Sequence, residues 1–194
     1  MRKIVQILTL LIAGVMLFTS CGRAEENTII TETGETIMVQ IEMENGGIIK
    51  LELYPEAAPI TVENFLSLVK EGFYDGLIFH RVIAGFMIQG GDPEGTGMGG
   101  APNKIKGEFS ANGVPNPIRH ERGVISMARS RANDSASSQF FICHANAPHL
   151  NGQYAAFGRV IEGIEVVDEI ANVKTNFNDR PLRDVVIKKI TVLE

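Results

Sequence analysis

The sequence feature that most limits the possible folds is a series of short apolar runs separated by turn residues. Ile37–Met43 and Gly47–Leu53 alternate apolar and polar residues and flank Asn45-Gly46, the strongest short signal for a β-hairpin. Further strand-like runs are separated by loops rich in Gly, Pro, Asn and Ser; they are Leu77–Val82, Phe86–Gln89, Val124–Met127, Gln139–Cys143, Ala156–Val160 and Val185–Leu193. This spacing is typical of a β-barrel or a β-sandwich.

Two segments have helical rather than strand periodicity. The first begins at Pro59 and Thr61 and ends before Gly72, and its i, i+3, i+4 and i+7 positions are Val62, Phe65, Leu66 and Val69. The second has the apolar positions Ile164, Val167, Ile170 and Ala171. Two helices and about eight strands fit a mainly β domain, a closed barrel whose ends are capped by helices. Periodicity alone leaves the strand order undetermined.

Residues 1–20 are predicted to form a signal peptide. Arg2 and Lys3 precede an apolar stretch, Ile4–Phe18, that is shorter than the roughly 20 residues a membrane-spanning helix needs. The following LFTSC resembles the lipobox of bacterial lipoproteins, in which the cysteine, here Cys21, is lipidated and becomes the first residue. The alternative is ordinary cleavage near the same point, which gives a free periplasmic or secreted protein. Both interpretations predict a domain outside the cytoplasm, and lipidation adds a membrane anchor.

The segment after the signal peptide differs in composition from the rest of the chain. Residues 21–36 are mostly polar and lack apolar periodicity, so we expect a lipidated cysteine followed by a flexible tether. The folded domain is predicted to comprise residues 37–194 and to act as a monomer. Its single cysteine, Cys143, lies in a strand-like run and is predicted to be a small buried apolar residue rather than a disulfide partner of Cys21.

Several function classes are disfavoured by charge and spacing. The net charge is −5 and the basic residues form no stripe, which disfavours a nucleic-acid partner. The stretch Gly95–Gly100 matches G-x-G-x-x-G, but no helix start follows it, so we interpret it as a loop rather than a nucleotide site. The histidines lack metal-site spacing and no serine lies in a G-x-S-x-G elbow. No cofactor and no metal are therefore expected.

Four ordered blocks carry a resemblance to a known family. The segment FHRVIAGFMIQGGD, Phe79 to Asp92, is followed by GVISMAR (Gly123–Arg129), SQFFIC (Ser138–Cys143) and FGRV (Phe157–Val160). These blocks resemble the cyclophilins, and the resemblance covers Ile37 to Glu194. It implies an eight-stranded closed antiparallel β-barrel capped by two α-helices. It also implies peptidyl-prolyl cis/trans isomerase activity on proline-containing polypeptides.

The chemistry of that activity explains why one arginine stands out. Rotation about an Xaa-Pro bond must break amide resonance, a barrier of about 18–20 kcal/mol, and the twisted amide returns its lone pair to the proline nitrogen. A fixed hydrogen-bond donor aimed at that nitrogen binds the transition state better than either planar state. Arg81 suits this role because its guanidinium is always charged and presents several donors in a rigid fork.

The resemblance also implies the remaining site residues. Phe86 and Gln89 join Arg81 as catalytic residues, with Gln89 donating to the substrate carbonyl, and the walls of an apolar proline slot are Phe86, Met87, Phe141 and Leu150. Backbone groups of Ala128, Arg129 and Ser130 are expected to grip the peptide. The other predicted substrate contacts are Gln139, His149, Tyr154 and Gly95.

A second function class remains open at this point. The chain could be a proline-peptide binding module or a holdase chaperone that keeps the groove and has little turnover. The refolding of a protein limited by proline isomerisation separates the two, since a binder without catalysis leaves the slow phase unchanged. The favoured interpretation is an isomerase that assists the folding of extracytoplasmic proteins.

Overall fold

The computed structural model describes residues 36–193 of the chain. The predicted signal peptide, Cys21 and all but the last residue of the predicted tether lie outside the described residues. Within residues 36–193, no helix is both long enough and apolar enough to cross a membrane.

The described chain is mainly β, with two α-helices. The strands are β1 (Ile37–Met43), β2 (Ile48–Leu53), β3 (Arg81–Ile83), β4 (Met87–Gly90), β5 (Val124–Met127), β6 (Phe140–Cys143), β7 (Ala156–Glu162) and β8 (Ile187–Val192). The helices are α1 (Pro59–Lys70) and α2 (Ile164–Ala171). Single 3-10 turns occur at Ser110–Asn112 and Pro148–Leu150. All strand pairings are antiparallel, in one eight-stranded sheet of order β3-β4-β6-β5-β7-β2-β1-β8.

The expectation of a closed barrel is wrong, because the curled sheet keeps β3 and β8 as edges. The sheet stays open because the predicted strand Leu77–Val82 divides between two pairing partners. Only Arg81–Ile83 pairs with β4, whereas the preceding residues turn toward the segment before β8. There the Phe79 N–H donates to the Val185 carbonyl at 3.0 Å, and the Ile187 N–H donates to the Leu77 carbonyl at 2.8 Å. One isolated bridge, Ile78 to Val186, therefore stands where a continuous ladder would close the barrel.

The first hairpin shows how the alternating pattern becomes a core. Its turn has Gly46 at φ 88°, a left-handed conformation that favours glycine, which confirms the Asn-Gly prediction. Alternate residues of the two strands are buried on one face, namely Val39, Ile41, Met43, Ile49, Leu51 and Leu53. From α1, Phe65 packs into the same core and contacts the rings of Tyr74, Phe140 and Phe157.

The start of α1 is capped by a residue distant in sequence. The Glu108 carboxylate, only 2% exposed, accepts hydrogen bonds from the N–H groups of Ile60 at 3.1 Å and Thr61 at 2.8 Å. It also accepts from the Thr61 hydroxyl at 2.7 Å. A carboxylate at this end of a helix satisfies free N–H groups and complements the helix dipole. The loop before β5 is thereby fastened to the helix.

Candidate active site

One row of side chains crosses four neighbouring strands on the same face of the sheet. Arg81 on β3 lies opposite Gln89 on β4, Gln89 lies opposite Phe141 on β6, and Phe141 lies opposite Ser126 on β5. Directly opposed residues of antiparallel strands share a face, with their Cβ atoms about 4.5–5.5 Å apart. The three most important sequence-predicted residues, Arg81, Gln89 and Phe141, are thus neighbours.

A second apolar cluster covers this face, separate from the main core. Its buried members are Met87, Phe141, Cys143, Ala147 and Leu150, and Ile83, Phe86, Ala128 and Tyr154 pack against them. The alternation of β6 creates the separation, since Phe140 and Ile142 belong to the main core while Phe141 and Cys143 belong to this cluster. All four predicted walls of the proline slot therefore meet in one place. Burial raises the pKa of the Cys143 thiol to about 12, as expected for an apolar role.

Two rings hold Phe141 in place, and one of them was not predicted. The Tyr154 ring meets it edge-on, with centroids 5.7 Å apart, and the His120 imidazole stacks on it at 5.9 Å. His120 is 1% exposed, and its ring nitrogens lie 3.0 Å from the Ser126 hydroxyl and 3.2 Å from the Asn151 amide oxygen. Burial lowers the pKa of His120, which favours the neutral ring. No local sequence signal links residue 120 to residue 141.

The rim of the cluster is formed by side chains that are more exposed. The exposed His149 ring lies against Phe86, with centroids 5.4 Å apart. The Arg129 guanidinium lies over the Tyr154 ring at 4.8 Å and over the Phe109 ring at 4.9 Å, and it donates to the Gln153 carbonyl at 2.8 and 3.1 Å. This side chain is therefore fixed in place, next to backbone groups that are predicted to grip the peptide.

Two glutamines connect the row to the glycine-rich loop. Gln89 Nε2 donates to Gln139 Oε1 at 2.8 Å, and Gln139 Nε2 donates to the carbonyls of Gly97 at 3.1 Å and Gly99 at 2.7 Å. The Gln139 carbonyl accepts from the Ala128 N–H at 2.9 Å. Gln139 thus orders both the predicted peptide-binding backbone and the side chain of Gln89.

Two predicted contacts lie away from the apolar cluster. Gly95 is buried, and its carbonyl oxygen accepts a hydrogen bond of 2.6 Å from Arg180. The exposed Ser130 hydroxyl is 2.8 Å from that of Ser135. In the glycine-rich loop, contacts to the predicted site come from the Gly97 and Gly99 carbonyls rather than from Gly95.

The arrangement combines an apolar cluster with a charged donor beside it. The Arg81 side chain is 43% exposed, and its Nε atom lies 3.5 Å from Asp179 Oδ2. In the part of the chain that the structure describes, no cluster of three or more His, Cys, Asp or Glu side chains could hold a metal ion. An apolar proline ring and a polar amide presented together would find complementary surfaces here.

Comparisons with known proteins agree with this geometry. Residues 38–192 match the family model described as cyclophilin type peptidyl-prolyl cis-trans isomerase/CLD. Peptidyl-prolyl cis-trans isomerase CYP18-1 of Arabidopsis thaliana is 47% identical over 76% of this chain and 91% of its own length. Peptidyl-prolyl cis-trans isomerase B of Bacillus subtilis is 52% identical over 67% of this chain and 87% of its own.

A solved structure has the same architecture. The cyclophilin type peptidyl-prolyl cis-trans isomerase of Cryptosporidium parvum, crystallised in the presence of the dipeptide Ala-Pro, superposes with a TM-score of 0.74 at 35% identity. The match covers 81% of this chain and 99% of that one. The chain therefore belongs to the cyclophilin family and is a cyclophilin-type peptidyl-prolyl cis-trans isomerase.

Proposed function

We propose that the enzyme twists Xaa-Pro bonds over Phe141, with Arg81 as the donor to the proline nitrogen, and that it assists the folding of extracytoplasmic proteins. The observation that carries the assignment of the site is the register of Arg81, Gln89 and Phe141 on adjacent strands. The proline ring enters the slot between Phe141 and Leu150, and the amide lies toward the polar end of the row.

The polar end of the row supports differential binding of the twisted amide. In a planar amide the proline nitrogen is a poor acceptor, because its lone pair is delocalised into the carbonyl. A guanidinium beside it gains a hydrogen bond only as the bond rotates, so its interaction is stronger in the transition state than in either ground state. Gln89 is fixed by Gln139 and is placed to donate to a substrate carbonyl.

The peptide itself is held by backbone groups and by the rim. The Ala128 backbone lies next to Gln139, and the Ala128 side chain packs against the apolar cluster. Binding through backbone groups makes few demands on substrate side chains, so broad sequence tolerance follows. Phe86 and His149 form an aromatic rim that can contact residues next to the proline.

Replacement of Arg81 tests the mechanism. We expect Arg81→Ala to lower turnover on an Xaa-Pro peptide by roughly a hundredfold to a thousandfold, by analogy with the removal of oxyanion donors. Peptide affinity and thermal stability should stay near wild type, because the side chain is half-exposed. Arg183→Ala, which removes an exposed arginine outside the site, is the matched control. Near-normal turnover in folded Arg81→Ala would disprove the proposed role of Arg81.

The proposed location rests on the sequence before the described residues. The basic start, the apolar stretch and Cys21 support export and a lipid anchor on the outer face of a membrane. Newly exported chains reach that face unfolded, and slow Xaa-Pro isomerisation limits their folding. The proposed clients are therefore proline-containing polypeptides that fold outside the cytoplasm.

A further inference from the structure

A tight turn near the C-terminus lies against the strand that carries Arg81. This turn, Asn176–Arg180, is closed by the Asn176 N–H donating to the Arg180 carbonyl at 2.8 Å. The Asn176 side-chain oxygen accepts from the N–H groups of Asn178 at 2.9 Å and Arg180 at 3.1 Å. The bridge between Thr175 and Pro181 holds the base of the turn. These contacts make the turn a rigid support rather than a loose loop.

Asp179 of this turn contacts two consecutive residues of β3. Its carbonyl oxygen accepts a hydrogen bond of 2.8 Å from the Val82 N–H, and its carboxylate Oδ2 lies 3.5 Å from Arg81 Nε. Because β3 is an edge strand of only three residues, the turn supplies a partner on the side where the sheet supplies none. The backbone and the guanidinium of the catalytic strand are therefore held by one residue.

Asp179 has a left-handed backbone conformation. Its φ is 62°, and it is the one non-glycine residue with a positive φ among residues 36–193. Glycine adopts this conformation at least cost, and aspartate and asparagine tolerate it better than other residues. The backbone therefore accepts asparagine as well as aspartate, and of the two only aspartate brings a negative charge to the contact with Arg81.

The charge has little to contribute to stability. Both side chains of the pair are 43% exposed, and exposed ion pairs contribute little to the free energy of unfolding. The contact does restrict the guanidinium, since the carboxylate lies at Nε and leaves the two terminal Nη groups to donate elsewhere. Orientation is therefore the effect that this geometry supports best.

The same turn also reaches the glycine-rich loop. Arg180 Nη1 donates to the Gly95 carbonyl at 2.6 Å, and the loop continues to Gly97 and Gly99, whose carbonyls hold Gln139. One turn thus supports both polar parts of the site, Arg81 directly and the Gln139–Gln89 pair through the loop.

We propose that Asp179 is a positioning residue that holds the Arg81 guanidinium in the orientation needed to donate to the twisted amide. The inference rests on the proposed function of Arg81. Without the carboxylate, the arginine side chain samples more rotamers. A hydrogen-bond donor that is slightly displaced from the proline nitrogen stabilises the transition state less, while peptide binding is unchanged.

Asp179→Asn is the sharpest test, because asparagine tolerates a positive φ, keeps the backbone contact to Val82 and removes only the charge. We expect kcat on an Xaa-Pro peptide to fall roughly twofold to fivefold, which is the most that an exposed ion pair can shift the orientation of the guanidinium, while KM and the unfolding temperature stay near wild type. Glu162→Gln is the matched control, since Glu162 is exposed and pairs with Lys50, at 2.7 Å, at the end of β7. It removes a negative charge from an ion pair outside the site and should leave kcat unchanged.

A second measurement reports on the guanidinium directly. The Arg81 Nε–H resonance, assigned by its absence in Arg81→Ala, should show greater ps–ns motion by 15N relaxation in Asp179→Asn and not in Glu162→Gln. Unchanged kcat and unchanged Nε–H motion in Asp179→Asn would overturn the proposal, as would an equal loss of kcat in both variants. If Arg81→Ala itself retains turnover, the proposed function fails. If Arg81→Ala loses turnover and Asp179→Asn does not, only the role of Asp179 fails.

Discussion

Phe141 has two expected roles, because its ring is the proposed floor of the proline slot and also belongs to a packed cluster. It is 5% exposed and contacts the rings of His120 and Tyr154. Arg81 and Asp179, by contrast, are half-exposed and contribute little to packing. Substitutions at these residues should therefore separate stability from turnover.

Phe141→Ala should weaken peptide binding and lower the free energy of unfolding by about 3–5 kcal/mol, because it removes a buried ring and leaves a cavity. Phe86→Ala is a useful comparison, since Phe86 packs on the same cluster from the rim and is only partly buried. We expect Phe86→Ala to weaken binding with a smaller loss of stability. Peptide titration and denaturant unfolding of both variants measure the two effects. Equal losses of stability would contradict the distinction between floor and rim.

His120 predicts a pH dependence of stability. Burial lowers the pKa of His120 in the folded protein below the ordinary 6.5. Between these two pKa values the residue is mostly protonated in the unfolded chain and mostly neutral in the folded protein. Stability is therefore complete above about pH 6.5 and is lost as the pH falls toward the lowered pKa, by at most about 1.4 kcal/mol per pH unit.

The variant His120→Gln removes this titration and keeps groups that can hydrogen-bond Ser126 and Asn151. The free energy of unfolding, measured by denaturant between about pH 7 and about pH 5, should fall less steeply in the variant than in wild type. Burial also lowers the pKa of His80, but that residue is present in both proteins and cancels in the comparison. Parallel pH profiles would show that His120 does not contribute.

The elements were predictable wherever a local pattern decides them. The prediction for Ile37–Met43 matches β1, that for Val124–Met127 matches β5, and both helices lie where the apolar periodicity placed them. The run Leu77–Val82 was not predictable in detail, because its residues pair with two different segments. No local sequence signal marks the change of pairing partner near His80. Likewise, no local signal shows that Glu108 caps α1.

The seam between Leu77–Phe79 and Val185–Ile187 should be a weak part of the sheet. It contains one isolated bridge, whereas β1 pairs with β2 without interruption and with β8 through a single register shift. Local opening of the seam breaks few hydrogen bonds, so it requires less free energy than opening the central strands. In hydrogen exchange followed by NMR, we expect the Phe79 and Ile187 amides to exchange faster than the amides of β2. Equal protection would indicate that the seam and the central strands open as one cooperative unit.

At the scale of the whole molecule, ordered motifs carried more information than periodicity. The four sequence blocks supplied the candidates Arg81, Gln89 and Phe141, which lie opposite one another on adjacent strands. Strand order, the open seam and the support from Asn176–Arg180 depend on long-range contacts that no single segment encodes. The turn residue Asp179 and the stacking partner His120 were missed for that reason.

The proposed membrane anchor is a property of the whole chain, and Cys21→Ala tests it. Transfer of a diacylglyceryl group to the thiol of a lipobox cysteine forms one thioether that carries two acyl chains, which suffice for stable anchoring where one chain does not. We expect wild type and Cys143→Ala to incorporate labelled palmitate and Cys21→Ala to incorporate none, because Cys143 is buried inside the domain. Mass spectrometry of the wild-type N-terminal peptide should show a lipid-modified Cys21 as the first residue. Turnover should be equal in wild type and Cys21→Ala, since all the proposed catalytic residues lie within residues 36–193. Palmitate label that persists in Cys21→Ala, or a mature N-terminus at another residue, would show that the chain is not anchored through this cysteine.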